Sequence, residues 1–220
     1  MAQNQANTTQ STPVYTPTVG ASYGNGWRQM RKYFLELFLI GIIGFVIGLP
    51  SGIGEEVTAA SVLSVLGLIY GILIVCPTEY GVSFAYLKAA RSDKLKIWDM
   101  FEAFHNYWNA VLANILVSGI VVIGFFLLII PGIIFACKLA FTPYLIVDRK
   151  MEVIEAIKES WRMTNGHAWT IFFIGLLSIV IIIGGLLFFV VGVIPALMWI
   201  LVTQASLYHA VMVPSEIKVA

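Results

Sequence analysis

Charged residues are scarce in this sequence: Asp, Glu, Lys and Arg together make up 11% of its 220 residues. Apolar and aromatic residues make up 59%, which leaves too little polar side chain to cover the surface of a soluble globule. The formal net charge is +1, and no cluster of basic and aromatic residues forms a platform for nucleic acid. The composition therefore predicts an integral membrane protein whose partner is the lipid bilayer, and it excludes nucleic acid as a partner.

Residues that could carry out catalysis or bind metal are also few. The two cysteines, Cys76 and Cys137, lie in apolar runs, where a thiol behaves as a small apolar side chain. The three histidines, His105, His167 and His209, are scattered along the chain. No glycine-rich phosphate loop, His-Glu-x-x-His motif or Gly-x-Ser-x-Gly motif is present. We therefore predict no catalytic residue, no metal site and no cofactor, and we expect a protein that is not an enzyme.

A polar stretch precedes the apolar part of the chain. Residues 1–26 are rich in Gln, Asn, Thr, Ser and Pro, and they lack the basic and apolar regions of a signal peptide. This composition predicts a disordered polar tail. The membrane domain is then expected over residues 27–215.

Six apolar segments follow the tail. Most of them approach the roughly 20 residues that an α-helix needs to span a hydrocarbon core about 30 Å thick. Helices are expected because lipid cannot satisfy exposed backbone polar groups. The sequence thus predicts an all-α integral membrane protein with six transmembrane helices, at roughly Tyr33–Leu49, Ser61–Leu87, Trp108–Ile130, Gly132–Val147, Trp169–Val191 and Val193–Val213.

The positions of lysine and arginine predict the orientation in the membrane. Of the 13 basic residues, 12 flank the segments on one side, whereas the opposite loops carry only Glu55 and Glu56 as charged residues. Loops rich in lysine and arginine stay in the cytoplasm according to the positive-inside rule. We therefore expect both termini in the cytoplasm and a multi-pass protein of the bacterial inner (plasma) membrane. The basic residues on that side are Arg28, Arg31, Lys32, Lys88, Arg91, Lys94, Lys96, Arg149, Lys150, Lys158, Arg162 and Lys218.

The six segments pair into a threefold pattern. Each unit has a leader, a Trp at the membrane entrance, an apolar arm, a turn with proline and a second apolar arm. Trp27 and Pro50 are 23 positions apart, and so are Trp108 and Pro131. This similarity predicts an internal repeat of three helical hairpins, over residues 27–93, 94–150 and 151–215.

The prolines are expected to have two roles in this pattern. Pro77 and Pro143 lie inside apolar runs, where each should kink its helix. The other prolines mark the turns of the hairpins. These turns are expected at Pro50, at Pro131 with the neighbouring Gly132, and at Pro195.

The leaders are amphipathic when they are plotted at 100° per residue. In Met151–Thr164 the apolar side chains share one arc and the charged side chains lie opposite, and Gly166 follows as a helix stop. Such helices are typical of the membrane surface, so we expect interfacial helices on the cytoplasmic side. Capping of the bundle is favoured over binding of a partner. The apolar faces contain Phe101 and Phe104 in the second leader, and Ile157 and Trp161 in the third.

Three polar side chains interrupt the apolar segments. Lys138 and Gln204 each lie nine residues before the last residue of their segment, and Glu79 lies nine residues before Lys88, which predicts similar depths. A charge at mid-bilayer costs about 2.5 to 3.5 kcal/mol on insertion scales, so it needs a polar partner or water. We expect the three side chains to face one another inside the bundle. They would form either a polar lock that sets helix register, or a polar path or small-ligand site.

Several short motifs follow one another between residues 101 and 166. They are Phe101-x-x-Phe104, the turn Pro131-Gly132, the basic residue Lys138, the pair Pro143-Tyr144, and an Ala-x-x-x-Ser-x-x-x-Thr-x-Gly helix formed by Ala156, Ser160, Thr164 and Gly166. This order resembles the signature of a broad group of uncharacterised prokaryotic multi-pass proteins related to the membrane domain of glycerophosphodiester phosphodiesterases. The resemblance covers roughly Asp93–Ile181. It implies a six-helix inner-membrane protein of unassigned function. It does not imply phosphodiesterase activity, because no soluble barrel domain with its metal ligands is attached.

Three functions remain open for such a protein. The first, which the interfacial helices and the lack of catalytic motifs favour, is a non-enzymatic membrane scaffold or accessory protein that works as a homo-oligomer or with a membrane-protein partner. The second is a small-solute transporter or channel subunit that uses Glu79, Lys138 and Gln204. The third is a membrane-shaping protein, whose short hairpins at Pro131 and Pro195 would wedge one leaflet.

Overall fold

The structure is a computed structural model that describes residues 16–52, 62–187 and 189–217. Within these ranges the regular structure is helical, with one π-helix, Gly71–Val75, and one 3-10 helix, Ile97–Asn106. The α-helices are α1 Val19–Lys32, α2 Phe34–Gly52, α3 Val62–Tyr70, α4 Cys76–Ala90, α5 Tyr107–Leu127, α6 Ile129–Leu139, α7 Thr142–Asp148, α8 Val153–Met163, α9 Ala168–Leu187 and α10 Phe189–Ile217. The prediction of an all-α protein is confirmed.

Six helical stretches in the described ranges are long and apolar enough to cross a membrane. Their mean hydropathy lies between 1.3 and 2.7, which agrees with the six apolar segments of the sequence. Three of the stretches join two or more helical segments end to end. The stretches are Phe34–Ser51, Ser64–Ala90, Ile97–Leu127, Ile129–Asp148, Ala168–Leu187 and Gly192–Met212.

The connection between α5 and α6 is a single residue, Leu128, with extended backbone angles (φ −166°, ψ 147°). Leu128 N donates to Gly124 O at 3.1 Å, and Gly132 N donates to Leu128 O at 3.3 Å. A Cβ atom on Gly132 would lie 2.6 Å from Phe125 Cγ, so this glycine lets the two helices touch. Pro131 lies in the first turn of α6, where its missing N–H breaks no helical hydrogen bond. The turn therefore lies at Leu128, three residues before its predicted position.

The other two prolines predicted as turns lie inside helices. Pro195 belongs to α10, which begins at Phe189, so Pro195 does not form the predicted turn. Pro50 lies inside α2, which continues to Gly52. Transmembrane helices tolerate proline because neighbouring groups satisfy the freed backbone atoms. The predicted polar turn with Glu55 lies outside the described residues.

Pro77 and Pro143 each stand second in a new helical segment. Pro77 follows the π-helix at the start of α4, and Pro143 opens α7 after the short break behind α6. The fixed φ and missing N–H of proline suit the first turn of a helix. Both long spans are therefore interrupted where the prolines predict kinks.

The N-terminal stretch is helical over part of the length that was predicted to be disordered. α1 begins at Val19, and Thr18 caps it by accepting a hydrogen bond from Ala21 N at 3.4 Å. Tyr23 and Gly26 are buried in the bundle. The prediction of disorder as far as Gly26 is wrong for residues 19–26, because polar side chains there find hydrogen-bond partners in other helices. Residues 1–15 lie outside the described ranges.

The second leader is a 3-10 helix that packs along α4. A Cβ atom on Gly81 of α4 would collide with the backbone oxygen of Met100, so only glycine allows this approach. A 3-10 helix has three residues per turn, which brings Met100 and Ala103 to the buried face. The expected apolar face with Phe101 and Phe104 is therefore displaced, and Phe104 is exposed.

The third leader, α8, buries a narrow stripe of small and flexible side chains. Ala156, Ser160 and Met163 face the bundle. Ile157 is half-buried and Trp161 is exposed, so the strongly apolar arc predicted from the sequence is not the face that packs on the protein.

Gly166 ends this leader as predicted. Its φ is +85°, a left-handed conformation that side chains other than glycine rarely adopt. His167 N donates to Thr164 O at 3.1 Å across the turn, before α9 begins at Ala168.

The centre of the bundle is α4. It packs against the 3-10 helix, α10, α7, α5 and α2, whereas α6 packs mainly against α5, α8 and α9. α1 packs against α10, so the first and last helices of the described chain are in contact.

Candidate functional site

Three helices meet at a cluster of polar side chains, Arg91, Asp148 and Tyr208, which we term the polar junction. Arg91 follows the last residue of α4, and its guanidinium donates two hydrogen bonds to the carboxylate of Asp148 at 2.6 and 2.7 Å. Tyr208 of α10 donates to the same carboxylate at 3.2 Å. The side chains of Arg91 and Asp148 are only 18% and 9% exposed. The junction thus ties the ends of α4 and α7 to α10.

Electrostatics strengthen the junction. Burial lowers the pKa of Arg91, but the hydrogen bonds and the negative charge of Asp148 outweigh this effect and leave the pKa raised. Arg91 therefore stays charged, and a bidentate arginine–carboxylate pair with low exposure is among the stronger polar contacts in proteins. Arg149 extends the group, since its side chain donates to Met212 Sδ at 3.2 Å.

Aromatic side chains close the space beside the junction. The rings of Tyr144 and Tyr208 stack with centroids 4.9 Å apart, and Phe141 meets Tyr208 edge-on at 5.5 Å. All three residues are buried. Tyr144 is therefore part of the packed core between α7 and α10.

Asn25 of α1 makes a second polar connection next to the junction. Its amide nitrogen donates to Ala90 O at 3.1 Å and to Ser206 Oγ at 2.9 Å. Ala90 directly precedes Arg91, and Ser206 lies two residues before Tyr208. The ends of α4 and α7 therefore lie at the same level as residues 206–208 of α10.

Lys138 lies at the contact between α6 and α8. Its ammonium group donates to Asn165 Oδ1 and lies 5.5 Å from the centre of the Trp161 ring. Ser160 Oγ donates to the backbone oxygen of Lys138 at 2.8 Å and accepts from Phe141 N at 3.2 Å. Ser160 thus satisfies the backbone groups released at the break between α6 and α7, which is a structural role.

Glu79 and Gln204 do not join Lys138. Both are exposed, and no hydrogen bond or ion pair links any two of these three described residues. α6, which carries Lys138, is not among the main neighbours of α4 or α10. The prediction that the three side chains face one another inside the bundle is wrong.

The three residues also differ in their distance from the polar junction, which explains part of the wrong prediction. Gln204 lies only four residues before Tyr208 of the polar junction, about 6 Å along α10. Glu79 lies 11 residues before Ala90, and Lys138 lies ten residues before Asp148, which correspond to about 16 and 15 Å. Glu79 and Lys138 therefore share a depth, whereas Gln204 lies much nearer the junction, because α10 continues well beyond it.

An apolar groove of about 530 Å³ lies between α2 and the α3 end of the second span. Tyr70 lines it, but its hydroxyl donates to Ile47 O at 2.9 Å and is thereby satisfied. Such a lining suits hydrocarbon better than a polar solute. The lining residues are Pro50, Leu66, Gly67, Ile69, Tyr70, Leu73 and Ile74.

Groups for metal binding do not come together in the described ranges. No three His, Cys, Asp or Glu side chains lie close enough there to hold a metal ion. Cys76 and Cys137 are half-buried and unbridged. What the described residues do assemble is a set of contacts that hold helices in position.

The sequence did not indicate the residues of the polar junction. The sequence pattern marks Arg91 and Arg149 only as basic residues. It indicates no role for Asp148 or Tyr208. One signal was present: Asp148 is an acidic residue that directly ends an apolar segment on the basic side, where an ion pair with a neighbouring segment is favourable.

Comparisons of the chain with protein-family models, with curated proteins and with solved structures give no match. The resemblance to the uncharacterised multi-pass group therefore remains a prediction from the motifs. The chain is defined by its architecture: an all-α protein with six helices able to cross a membrane.

Proposed function

We propose that the protein is a non-enzymatic, multi-pass scaffold or accessory protein of the bacterial inner membrane. Its helices would form three hairpins with both termini in the cytoplasm, and α1, the 3-10 helix and α8 would pack against the cytoplasmic half of the bundle. The positive-inside distribution of basic residues supports this orientation.

The polar junction is the observation that carries the proposal. Arg91, Asp148 and Tyr208 belong to three different spans. Their polar side chains form hydrogen bonds with one another. The stacked rings of Tyr144 and Tyr208 fill the space beside them. Polar groups used in this way fix the relative positions of helices, as a scaffold requires, and they leave few groups for handling a solute.

The transporter alternative depended on a joint cluster of Glu79, Lys138 and Gln204. Since these residues lie apart, and the described groove is lined almost wholly by apolar side chains, the geometry gives that alternative less support.

A scaffold is expected to assemble. We expect the protein, purified in a mild detergent, to elute as an oligomer or with a membrane-protein partner, as measured by light scattering coupled to size exclusion. Reconstituted in liposomes, it should not raise solute flux above that of empty liposomes. A strictly monomeric species without a partner would contradict the proposal.

The tip of the hairpin formed by α5 and α6 favours membrane shaping as a second candidate. Phe126 is 93% exposed, and the neighbouring residues from Phe125 to Ile130 are also exposed and apolar. At the turn, the backbone nitrogen and the backbone oxygen of Leu128 each take part in a hydrogen bond. Hydrogen bonds of this kind lower the cost of placing the tip in hydrocarbon, where it would wedge the leaflet that it enters.

Single-cysteine labelling separates the two candidates. In a variant that lacks Cys76 and Cys137, a cysteine replacing Leu128 should react with an impermeant reagent from outside if the hairpin crosses fully. A cysteine replacing Glu55 serves as the control for an external loop. Reaction at Glu55→Cys combined with protection of Leu128→Cys would support the wedge and count against six full crossings.

A further inference from the structure

We propose that the protein associates with a second copy of itself through an ion pair within the membrane, between Glu79 of one copy and Lys138 of the other. The inference rests on the proposed scaffold function and names the partner as this same chain. It follows from the charges, accessibility and depths of the two residues.

Glu79 is a carboxylate without a partner in the described part of the chain. It lies within the candidate span Ser64–Ala90, and its residue is exposed. A charged side chain within a membrane is unfavourable unless a polar group meets it. Ser83 approaches only the backbone of Glu79, where its hydroxyl donates to Glu79 O at 2.9 Å. We therefore expect the Glu79 carboxylate to accept a hydrogen bond from a donor outside the chain.

Lys138 retains donors that can serve this purpose. An ammonium group has three N–H donors, and the hydrogen bond to Asn165 uses one of them at an exposed position. Trp161 covers one side of the ammonium group at 5.5 Å. The remaining donors are available to a neighbouring molecule.

The depths of the two charges match. Glu79 lies about 16 Å and Lys138 about 15 Å from the level of the polar junction along their helices. A membrane holds all copies of a protein in the same orientation, so side chains of two copies meet only if their depths agree. Gln204, which lies about 6 Å from the junction, is excluded as the partner of Glu79 on this ground.

The pair cannot form within one chain in this packing. α4, which carries Glu79, packs against α2, α5, α7, α10 and the 3-10 helix, whereas α6 packs mainly against α5, α8 and α9. Opposite charges at one depth on separate surfaces of the same molecule describe a heterologous interface, in which two different patches meet.

Cysteine cross-linking between two differently tagged chains tests the pairing. Both chains lack Cys76 and Cys137; one carries Glu79→Cys and the other Lys138→Cys, and they are expressed together and oxidised in the membrane. We expect a disulfide-linked dimer that contains both tags. Gln204→Cys in place of Glu79→Cys is the matched control and should give no such dimer.

Charge variants provide a second measurement. Removing one partner of a pair shielded from water should weaken association about 30-fold. We expect this loss for Glu79→Gln and for Lys138→Met, and recovery when Glu79→Lys and Lys138→Glu are combined. Gln204→Leu should leave association unchanged. The thermal unfolding midpoint of each variant shows whether the monomer remains folded.

The outcomes separate this inference from the proposed function. An oligomer that persists undiminished in Glu79→Gln and Lys138→Met, without a mixed disulfide, would overturn the pairing and leave the scaffold proposal standing. A chain with both cysteines that forms the disulfide internally would also overturn it. A strictly monomeric protein without a partner would contradict both.

Discussion

At the scale of single residues, Asp148 has the most connections in the polar junction. Its carboxylate accepts two hydrogen bonds from Arg91 and one from Tyr208, and it is shielded from water by the bundle. A buried ion pair adds little when it is compared with a well-packed apolar pair, but loss of one partner leaves a buried charge without compensation. The junction is therefore expected to be sensitive to substitution of either partner.

Replacement of Asp148 with asparagine should destabilise the protein by about 3 kcal/mol, because the charge of Arg91 is left unpaired in the bundle. The measurement is the free energy of unfolding in detergent. Glu159→Gln is the matched control, since it removes a pair with Arg162, whose side chain is 68% exposed. That change should cost less than about 1 kcal/mol. Equal effects of the two substitutions would show that the junction is not a special element of stability.

Tyr23 gives a prediction about pH. Its hydroxyl donates to Ile174 O at 3.0 Å and lies 3.1 Å from Ser178 Oγ. Burial raises the pKa of Tyr23 above its ordinary value of 10.0, and the hydrogen bond with Ser178 lowers it by a smaller amount. The contribution of this hydroxyl is thus fully present below pH 10 and is lost as the pH rises through the raised pKa.

We expect Tyr23→Phe to lower the free energy of unfolding by about 1 kcal/mol at neutral pH, through loss of the hydrogen bonds. The difference between wild type and variant should shrink as the pH rises above 10, because the unfolded wild type then releases the phenolic proton more readily. Urea titrations at several pH values measure it. A difference that stays constant from neutral to alkaline pH would contradict the burial of this hydroxyl.

At the scale of elements, the second leader shows how close packing decides which face of a helix is buried. Phe101 and Phe104 share a face of the 3-10 helix, and their ring centroids lie 6.0 Å apart. The face that turns toward α4 is instead that of Met100 and Ala103. The glycine at position 81 permits this packing, because the backbone of Met100 lies where any larger residue would place its Cβ.

Gly81→Ala should destabilise the protein by about 3 kcal/mol, since the added methyl group meets backbone that cannot move aside without shifting a whole helix. Gly175→Ala in α9 is the matched control, because a Cβ there meets nothing within 4 Å. That change should be neutral or slightly stabilising, as alanine is the better helix former. Thermal unfolding of both variants provides the comparison, and a tolerated Gly81→Ala would contradict the close contact.

At the scale of the whole molecule, the leaders connect successive parts of the bundle. The 3-10 helix packs on α4 and α8 packs on α6 and α7, so each follows the span that it contacts. α1 packs on α10, the last span. Each leader thus packs on a neighbouring span, and the threefold repeat stays a prediction from the sequence.

Closure of the bundle by α1 can be tested with a disulfide. A Cβ on Gly26 would lie 3.2 Å from Thr203 Cα, so cysteines at the two positions should be close enough to bond. In a background without Cys76 and Cys137, we expect Gly26→Cys with Thr203→Cys to form an internal disulfide, seen as faster migration on a non-reducing gel. Gly20→Cys with Thr203→Cys is the control. Absence of the bond in the first pair would contradict the docking of α1 on α10.

The sequence predicted those features that depend on local composition and on geometry along one helix. The six spans, the helix stop at Gly166 and the interruptions at Pro77 and Pro143 follow from apolar length and from the backbone preferences of glycine and proline. The residues of the candidate site were harder to predict from the sequence than the spans. Equal spacing from segment ends suggested that Gln204 shared the depth of Lys138, but the ends of different helices do not lie at one level.

Local rules therefore decided that this chain is helical, that it has six stretches able to cross a membrane, and that two of these stretches change at Pro77 and Pro143. The tertiary structure alone decided that residues 19–26 fold against α10, that Asp148 meets Arg91 and Tyr208, and that Glu79 and Lys138 lie apart. The physical reason is that hydrophobicity and backbone preference act within a few residues. The pairing of polar groups depends instead on which helices become neighbours, and that is settled by packing between distant parts of the chain.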